Sequence, residues 1–264
     1  MLELDNISLG YGRKVLLEAV SACFGAGECV ALLGRNGAGK STLMRAVCGL
    51  ERLRSGRICI DGRDISGLSR EEAARMVSFV GTEKPRIPDL RCRSVVALGR
   101  APYTDWLGNA DEEDNKMIDK ALTLVGMTDY AERTLDSLSD GECQRIMIAR
   151  ALAQDTPVML LDEPTAFLDL PGKYAVASLL AKLAHSAGKT IVFSTHDLDI
   201  ALENADGIAL FDTPGLIHGS CPDILRSGAI GRVFGIGRKN EKSNLSESVF
   251  NTLPCRARGV CPFP

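Results

Sequence analysis

The sequence predicts an α/β fold with a parallel sheet core, an antiparallel β subdomain and an inserted helical subdomain. Two short apolar runs, Cys29–Leu33 and Val158–Leu161, each lead into a polar loop, a pattern typical of buried parallel strands. Between them, residues 87–153 have mostly helical spacing, with helices expected at 94–99 and 111–125. We therefore expect a mostly helical segment between the two parts of the core sheet.

The chain ends predict the remaining organisation. Short alternating strands within residues 1–33 and 57–60 indicate the antiparallel sheet. We therefore expect one domain over residues 1–235, with the helical subdomain at about 87–153 inserted in its core. Residues 236–264 lose periodicity and carry basic side chains, so we expect a weakly ordered C-terminal tail.

Composition excludes several classes of protein. The 264 residues are 45% hydrophobic and 25% charged, as in soluble globular proteins, and a net charge of −3 gives no reason to expect nucleic acid binding. No apolar run approaches the roughly 18 residues that span a bilayer, and the start lacks signal-peptide character. Nine cysteines without C-x-x-C pairs are typical of free thiols in a reducing cytosol.

The most specific motif follows the first apolar run. It reads Gly34, Arg35, Asn36, Gly37, Ala38, Gly39, Lys40, Ser41 and Thr42. This segment fits G-x-x-x-x-G-K-[ST], a loop whose backbone N–H groups surround nucleotide phosphates. Lys40 adds a positive charge for the β- and γ-phosphates, and the Ser41 hydroxyl is a ligand for Mg²⁺. The sequence therefore predicts a P-loop NTPase with a RecA-like core.

A second motif ends the run Val158–Leu161. Asp162 and Glu163 follow it directly, at the end of the strand where parallel sheets bind ligands. Asp162 is expected to hold Mg²⁺ through water, and Glu163 to orient or deprotonate an attacking water. The alternative for this segment alone is an acidic turn before Pro164.

The third motif is Leu138-Ser139-Asp140-Gly141-Glu142-Cys143-Gln144-Arg145. Ser139 and Glu142 have the S-x-x-E spacing of a capping box, and a capped helix N-terminus is also a phosphate-binding surface. The segment resembles the signature motif of ATP-binding cassette (ABC) ATPases. Three more segments match that family in order: Phe167-Leu168-Asp169, Ser194-Thr195-His196-Asp197 and Leu9-Gly10-Tyr11-Gly12.

The resemblance covers residues 1 to about 235 and implies roles for individual residues. Tyr11 would stack on adenine, although a turn aromatic is the alternative. His196 would contact the γ-phosphate and the catalytic water, although a structural histidine is the alternative. Asp169 would link the active sites of two subunits, unless it caps a turn. In the family, two copies pair head to tail, so that Lys40 of one faces Ser139, Gly141 and Glu142 of the other across ATP.

Three positions depart from the family pattern. Asp140 stands where a glycine is usual, and a carboxylate near a γ-phosphate is unfavourable unless it points away. Glu142 replaces a glutamine. Thr82 occupies the place of a glutamine that approaches Mg²⁺ and lies near the transmembrane partner, so we expect a Thr82 hydroxyl to serve there over a shorter reach.

A finer resemblance concerns the cargo. Gly99-Arg100-Ala101-Pro102-Tyr103 and Trp106-Leu107-Gly108 resemble the subfamily that imports iron chelates, haem and cobalamin. This implies an ATPase subunit on the cytoplasmic face of the membrane, using ATP and Mg²⁺. Its partners would be a second copy, transmembrane permease subunits and, indirectly, an extracytoplasmic substrate-binding protein. The alternatives are a soluble ABC ATPase and a nucleotide-binding regulatory module outside transport.

Two local expectations complete the analysis. The acidic run at residues 111–114 is interpreted as a solvated helix cap rather than a metal site. Cys143, beside the signature, is expected to be solvent-accessible in the nucleotide-free subunit, with burial inside the helical subdomain as the alternative.

Overall fold

The computed structural model describes residues 1–83, 88–104 and 110–235. Its ten strands are β1 (Leu2–Tyr11), β2 (Lys14–Phe24), β3 (Cys29–Leu33), β4 (Ser55–Ile60), β5 (Arg63–Asp64), β6 (Val77–Val80), β7 (Val158–Leu161), β8 (Thr190–Ser194), β9 (Gly207–Asp212) and β10 (Gly215–Ser220). The predicted C-terminal tail, with Cys255 and Cys261, and the Trp106-Leu107-Gly108 segment lie outside the described residues.

Six strands form the core sheet in the order β10-β9-β3-β8-β7-β6. The five strands from β9 to β6 run parallel, and β10 pairs antiparallel with β9 at the edge. Strands β3, β7 and β8 are buried along their whole length, as expected for apolar strands covered on both faces. The predicted α/β fold with a parallel core is confirmed.

The second sheet has the order β2-β1-β4-β5 and is antiparallel throughout. Strands β1 and β2 contain ten and eleven residues, longer than the short strands that the alternation predicted. Shifts in the β1–β2 register interrupt the strict alternation of buried and exposed residues, which explains why the sequence reads as shorter pieces.

Nine α-helices are found in the described ranges: α1 (Lys40–Val47), α2 (Arg70–Met76), α3 (Cys92–Ala97), α4 (Glu112–Leu124), α5 (Asp140–Ala153), α6 (Leu170–Ala187), α7 (Leu198–Asn204), α8 (Cys221–Arg226) and α9 (Ala229–Phe234). Helices α3, α4 and α5 contact one another and share a core with the parallel sheet. Helix α4 coincides with the predicted helix at 111–125.

The acidic start of α4 is only partly a solvated cap. Asp111 caps the helix through a reciprocal capping box with Asp114. Asp114, however, is buried, and its Oδ1 accepts a hydrogen bond from Arg100 Nε at 2.7 Å. The expectation of a solvated cluster is therefore wrong for Asp114, because a partner 14 residues earlier in the chain neutralises its charge.

Arg100 belongs to the segment Gly99-Arg100-Ala101-Pro102-Tyr103, which packs against the end of α5 within the helical insertion. A Cβ at Gly99 would lie 2.1 Å from the Arg150 carbonyl oxygen, so only glycine allows this approach. Arg100 Nη1 donates to the Ala153 carbonyl at 2.9 Å, where α5 leaves carbonyls without helical partners. The Tyr103 ring stacks 4.0 Å from the Arg100 guanidinium.

None of the seven cysteines within the described residues forms a disulfide bond, in agreement with the prediction of thiols. Cys143 is 6% exposed and packs in the core shared by α3, α4 and α5. The expectation of an accessible Cys143 is thus wrong. Its helix turns this position inward, whereas Glu142, one residue earlier, faces the partly exposed side.

Candidate nucleotide site

The predicted site residues converge because of the strand order. In the parallel sheet, β3, β8, β7 and β6 are successive neighbours, so their carboxyl ends lie along one edge. The phosphate loop follows β3, His196 follows β8, Asp162 and Glu163 follow β7, and Thr82 follows β6. Residues separated by more than a hundred positions are therefore brought to adjacent strand ends about 4.8 Å apart.

The phosphate loop ends at Gly39, which is the N-cap of α1 and has a φ of 113°. A side chain is strained at this φ, and a Cβ there would lie 3.1 Å from Leu16 of β2. Helix α1 begins at Lys40 and presents the positive end of its dipole to the loop. The glycine thus lets the chain enter the helix against β2, so the loop ends at a helix N-terminus, which is a position that binds anions.

Lys40 is buried, and its Nζ donates to the Gly34 carbonyl at 2.9 Å. Burial lowers the pKa of Lys40, and the carboxylates of Glu163 and Asp162 act against that shift. The ammonium group is therefore held inside the loop, with a carbonyl as its partner and two acids nearby. A buried ammonium group in this setting is suited to bind a phosphate group, which carries a full negative charge where the carbonyl carries none.

Asp162 is 8% exposed and is fixed from two neighbouring strands. Its Oδ1 accepts a hydrogen bond of 2.7 Å from Ser194 Oγ at the end of β8. Its main-chain carbonyl accepts one of 3.1 Å from Thr82 Oγ1, after β6. The Thr82 side chain therefore contacts Asp162, the residue expected to hold the metal ion. The contact is to the main chain of Asp162 and not to its carboxylate.

Glu163 has a φ of 48°, in the left-handed region that non-glycine residues seldom adopt. Such a conformation costs about 1–3 kcal/mol and persists only where the surroundings determine it. Its amide N–H donates to Ser194 Oγ at 2.8 Å. Its Oε2 lies 3.8 Å from Nδ1 of His196, so the expected base faces the histidine that is expected to contact the γ-phosphate.

The loop of His196 is also anchored. Asp197 Oδ2 accepts from Lys173 Nζ of α6 at 2.8 Å, and the Asp197 amide donates to Thr195 Oγ1 at 3.1 Å. The His196 side chain remains 54% exposed. An exposed imidazole on a fixed loop is accessible to a ligand, which favours the functional interpretation over a buried structural histidine.

Tyr11 is the last residue of β1 and lies beside the start of α1. Its hydroxyl oxygen is 3.2 Å from both Thr42 Oγ1 and Glu51 Oε1, and the side chain is 49% exposed. Arg54 holds the adjoining hairpin by donating to the Gly12 and Lys14 carbonyls. The structure therefore places Tyr11 next to the phosphate loop with an accessible ring.

The signature segment forms the predicted capping box at the start of α5. Ser139 Oγ accepts from the Glu142 amide, and Glu142 Oε2 accepts from the Ser139 amide at 2.8 Å. Hydrogen bonds from the Ser139 hydroxyl and amide, and one from Tyr130, lower the pKa of Glu142. Asp140 is the first residue of the helix, where the dipole stabilises a negative charge.

A cavity of about 340 Å³ adjoins the signature. Its lining includes Tyr130, Ser139, Gly141, Arg145, Gly172 and Val176. Asp169 lies beside it as the N-cap of α6, and its Oδ1 accepts from the Gly172 amide at 2.9 Å. In the isolated subunit, the capping role expected as the alternative for Asp169 is the one observed. Phosphate-loop residues do not contribute to this cavity wall among the residues described.

The sequence analysis gives Ser194 no role of its own, although its hydroxyl bonds the Asp162 carboxylate and the Glu163 amide. The available signal was a hydroxyl residue at the end of the apolar run Thr190–Ser194, where burial requires a hydrogen-bond partner. Spacing alone does not indicate which partner, because Asp162 lies 32 residues away on another strand.

The parallel sheet, the phosphate loop and the two acids at the end of β7 define a P-loop nucleotide-binding ATPase. A family model described as ABC transporter matches residues 17–166. The chain belongs to this family, and it is an ATP-binding subunit with ATPase activity.

Individual relatives agree with this placement. The iron(3+)-hydroxamate import ATP-binding protein FhuC of Bacillus subtilis is 33% identical over 237 residues, or 89% of this chain and 88% of that protein. An inward-facing metal-chelate type ABC transporter has a solved chain with a TM-score of 0.78 and 29% identity, covering 89% of this chain and 88% of that one.

A dimeric ATP-binding cassette in a post-hydrolysis state, bound to ADP and phosphate, has a TM-score of 0.70 and 28% identity. That similarity covers 84% of this chain and 99% of the solved chain.

Proposed function

We propose that this protein hydrolyses ATP as a homodimeric subunit of an importer for an iron chelate, such as a siderophore or haem, or for cobalamin. The observation that carries the proposal is the convergence of Lys40, Asp162, Glu163 and His196 at one sheet edge. A complete set of phosphate-binding and acid–base groups argues against a regulatory module without turnover.

The donor set fits Mg²⁺. The Ser41 hydroxyl and the Asp162 carboxylate are hard oxygen ligands, and Mg²⁺ is usually held by one or two carboxylates together with substrate phosphates. We propose Ser41 and Asp162 as its holders, with Thr82 as a further hydroxyl in reach of the Asp162 main chain. When bound, the ion neutralises charge that develops on the phosphate oxygens.

The remaining roles in binding and hydrolysis are assigned to residues of this chain. Amides of residues 34–42 and Lys40 bind the phosphates, and Tyr11 stacks on the adenine. Glu163 takes a proton from the attacking water, a role for which its side chain must approach the nucleotide from the β7 end. His196, 3.8 Å from Glu163, positions that water and the γ-phosphate.

The second copy supplies the signature. Ser139, Gly141 and Glu142 form a capped helix N-terminus, which is an anion-binding surface. The signature and Asp169 adjoin a cavity whose described wall contains no phosphate-loop residue, so within one subunit they do not complete the ATP site. A head-to-tail dimer brings them to the partner's ATP, in a closed isologous arrangement. The solved cassette that is described as dimeric supports the pairing of two copies.

Transport requires other chains. Among the residues described, no helix combines the length and apolar character needed to cross a bilayer. We propose that permease subunits form the membrane path and hold this subunit at the cytoplasmic face. An extracytoplasmic binding protein delivers the cargo to them. The metal-chelate and iron(3+)-hydroxamate relatives support an iron chelate.

The test is Glu163→Gln, with Glu113→Gln on the exposed start of α4 as the matched control. The first variant should bind ATP but not turn it over, and gel filtration should show a dimer with ATP and a monomer with ADP. The control should hydrolyse ATP like the wild type. A Glu163→Gln protein that keeps wild-type turnover would refute the proposed base. For the cargo, loss of this gene should abolish uptake of radiolabelled ferric hydroxamate.

A further inference from the structure

Ser194 lies between the two acids of the site. It is the last residue of β8, next to Leu32 of β3, and its side chain is fully buried. Its hydroxyl donates to Asp162 Oδ1 at 2.7 Å and accepts from the Glu163 amide at 2.8 Å. One hydroxyl group thus donates to Asp162 and accepts from Glu163, two consecutive residues that follow the neighbouring strand.

These two hydrogen bonds act on different properties of the site. The bond to Oδ1 fixes the rotation of the Asp162 carboxylate, so one oxygen is occupied and the other is left for a ligand. The bond from the amide holds the Glu163 backbone at its left-handed φ of 48°. Because that backbone conformation is strained, the direction in which the Glu163 side chain leaves it depends on the contacts that maintain it.

We propose that Ser194 is a positioning residue for ATP hydrolysis, which sets the carboxylate of Asp162 and the backbone of Glu163 at the same time. This inference rests on the proposed roles of Asp162 in metal binding and of Glu163 as the base. In this proposal Ser194 acts through Asp162 and Glu163 and not through contact with the nucleotide or the reacting water. Its effect is therefore on turnover and on the metal requirement, while ATP binding by the phosphate loop is preserved.

The chain provides a close control. Ser78 is a buried serine in β6 of the same sheet, and its Oγ accepts from Thr156 Oγ1 at 3.0 Å, away from both acids. Ser194→Ala and Ser78→Ala remove the same atom from similar surroundings. A second pair, Ser194→Thr and Ser194→Val, introduces side chains of nearly equal shape that differ in the hydroxyl. This pair separates the hydrogen bonds from the packing.

The experiment measures turnover, KM for ATP, the Mg²⁺ concentration for half-maximal activity and the melting temperature of the purified full-length variants. Ser194→Ala should lower kcat by up to about 100-fold, because a misplacement of about 1 Å can cost that much. Its KM should stay within about threefold of the wild type, as for the loss of an interaction that matters in the transition state. The half-maximal Mg²⁺ concentration of Ser194→Ala should rise. Ser78→Ala should change neither kcat nor the half-maximal Mg²⁺ concentration. Ser194→Thr should retain most of the turnover that Ser194→Val loses.

Equal turnover of Ser194→Thr and Ser194→Val would overturn the proposal, as would a Ser194→Ala variant within twofold of wild-type kcat. A parallel loss of melting temperature in both alanine variants, with an unchanged Mg²⁺ requirement, would assign Ser194 to packing and also overturn it. Glu163→Gln is measured alongside. If that variant keeps turnover, the proposed function fails on its own account, whatever Ser194 does.

Discussion

Removing Arg100 should destabilise the protein strongly, because this side chain neutralises a buried acid. Arg100 and Asp114 form an ion pair at 2.7 Å, and their side chains are only 8% and 5% exposed. In Arg100→Ala, Asp114 would remain in the core without its partner, and the Ala153 carbonyl would lose its donor. Breaking a buried pair from one side costs about 3–5 kcal/mol in the free energy of unfolding.

A matched exposed pair gives the comparison. Arg91 and Glu132 also join an arginine to a carboxylate in the same part of the chain, but their side chains are 63% and 67% exposed. Solvent screens such a pair, and it contributes about 0–1 kcal/mol. Arg91→Ala should therefore leave the stability almost unchanged, although it removes the same number of side-chain atoms.

Urea unfolding followed by circular dichroism measures both variants, with the free energy obtained by linear extrapolation. A loss below about 1 kcal/mol for Arg100→Ala would refute the reasoning, since the cost attributed to the unpaired Asp114 would be absent. Equal losses for the two variants would refute it as well, because burial would then have no part in the effect.

Three further outcomes are expected. Lys40→Ala should abolish hydrolysis and weaken ATP binding at least tenfold, since the amides alone supply too little charge. Titration with a fluorescent ATP analogue measures the binding, and near-normal turnover would contradict the prediction. Thr82→Gln should leave intrinsic ATPase activity equal or higher, as measured by phosphate release; a large loss would show that the bond from Thr82 to Asp162 is required. Cys143 should resist alkylation with and without ATP, as mapped by mass spectrometry against the less buried Cys59; rapid labelling would contradict its burial.

Local features of the fold were predictable because short stretches of sequence determine them. The phosphate loop, the capping box of Ser139 and Glu142, and the start of α4 at Asp111 each depend on residues within a few positions of one another. The convergence of the loops at one sheet edge was not predictable from these stretches alone. It depends on the strand order β3-β8-β7-β6, for which the resemblance to a known family was the available guide.

The buried polar contacts escaped prediction for a related reason. Ser194, Arg100 and Asp114 each have their partner on another element, and hydropathy does not identify which polar residue will be buried with which. Cys143 illustrates the same limit in the opposite direction. Its place in a functional motif indicated exposure, whereas the rotation of α5 turns it into the core.

The segment Gly99-Arg100-Ala101-Pro102-Tyr103 changes how the cargo assignment is supported. From the sequence, its resemblance to chelate and cobalamin importers favoured that cargo. In the structure, Gly99 permits close packing on α5, Arg100 pairs with Asp114, and the Pro102 carbonyl accepts from Arg75 Nη2 at 2.7 Å. These contacts are made within one subunit: two lie inside the helical insertion and one joins it to α2, so the segment has a structural role in packing the insertion. The cargo proposal therefore rests on the named relatives, and the uptake measurement decides it independently of the Arg100 stability experiment.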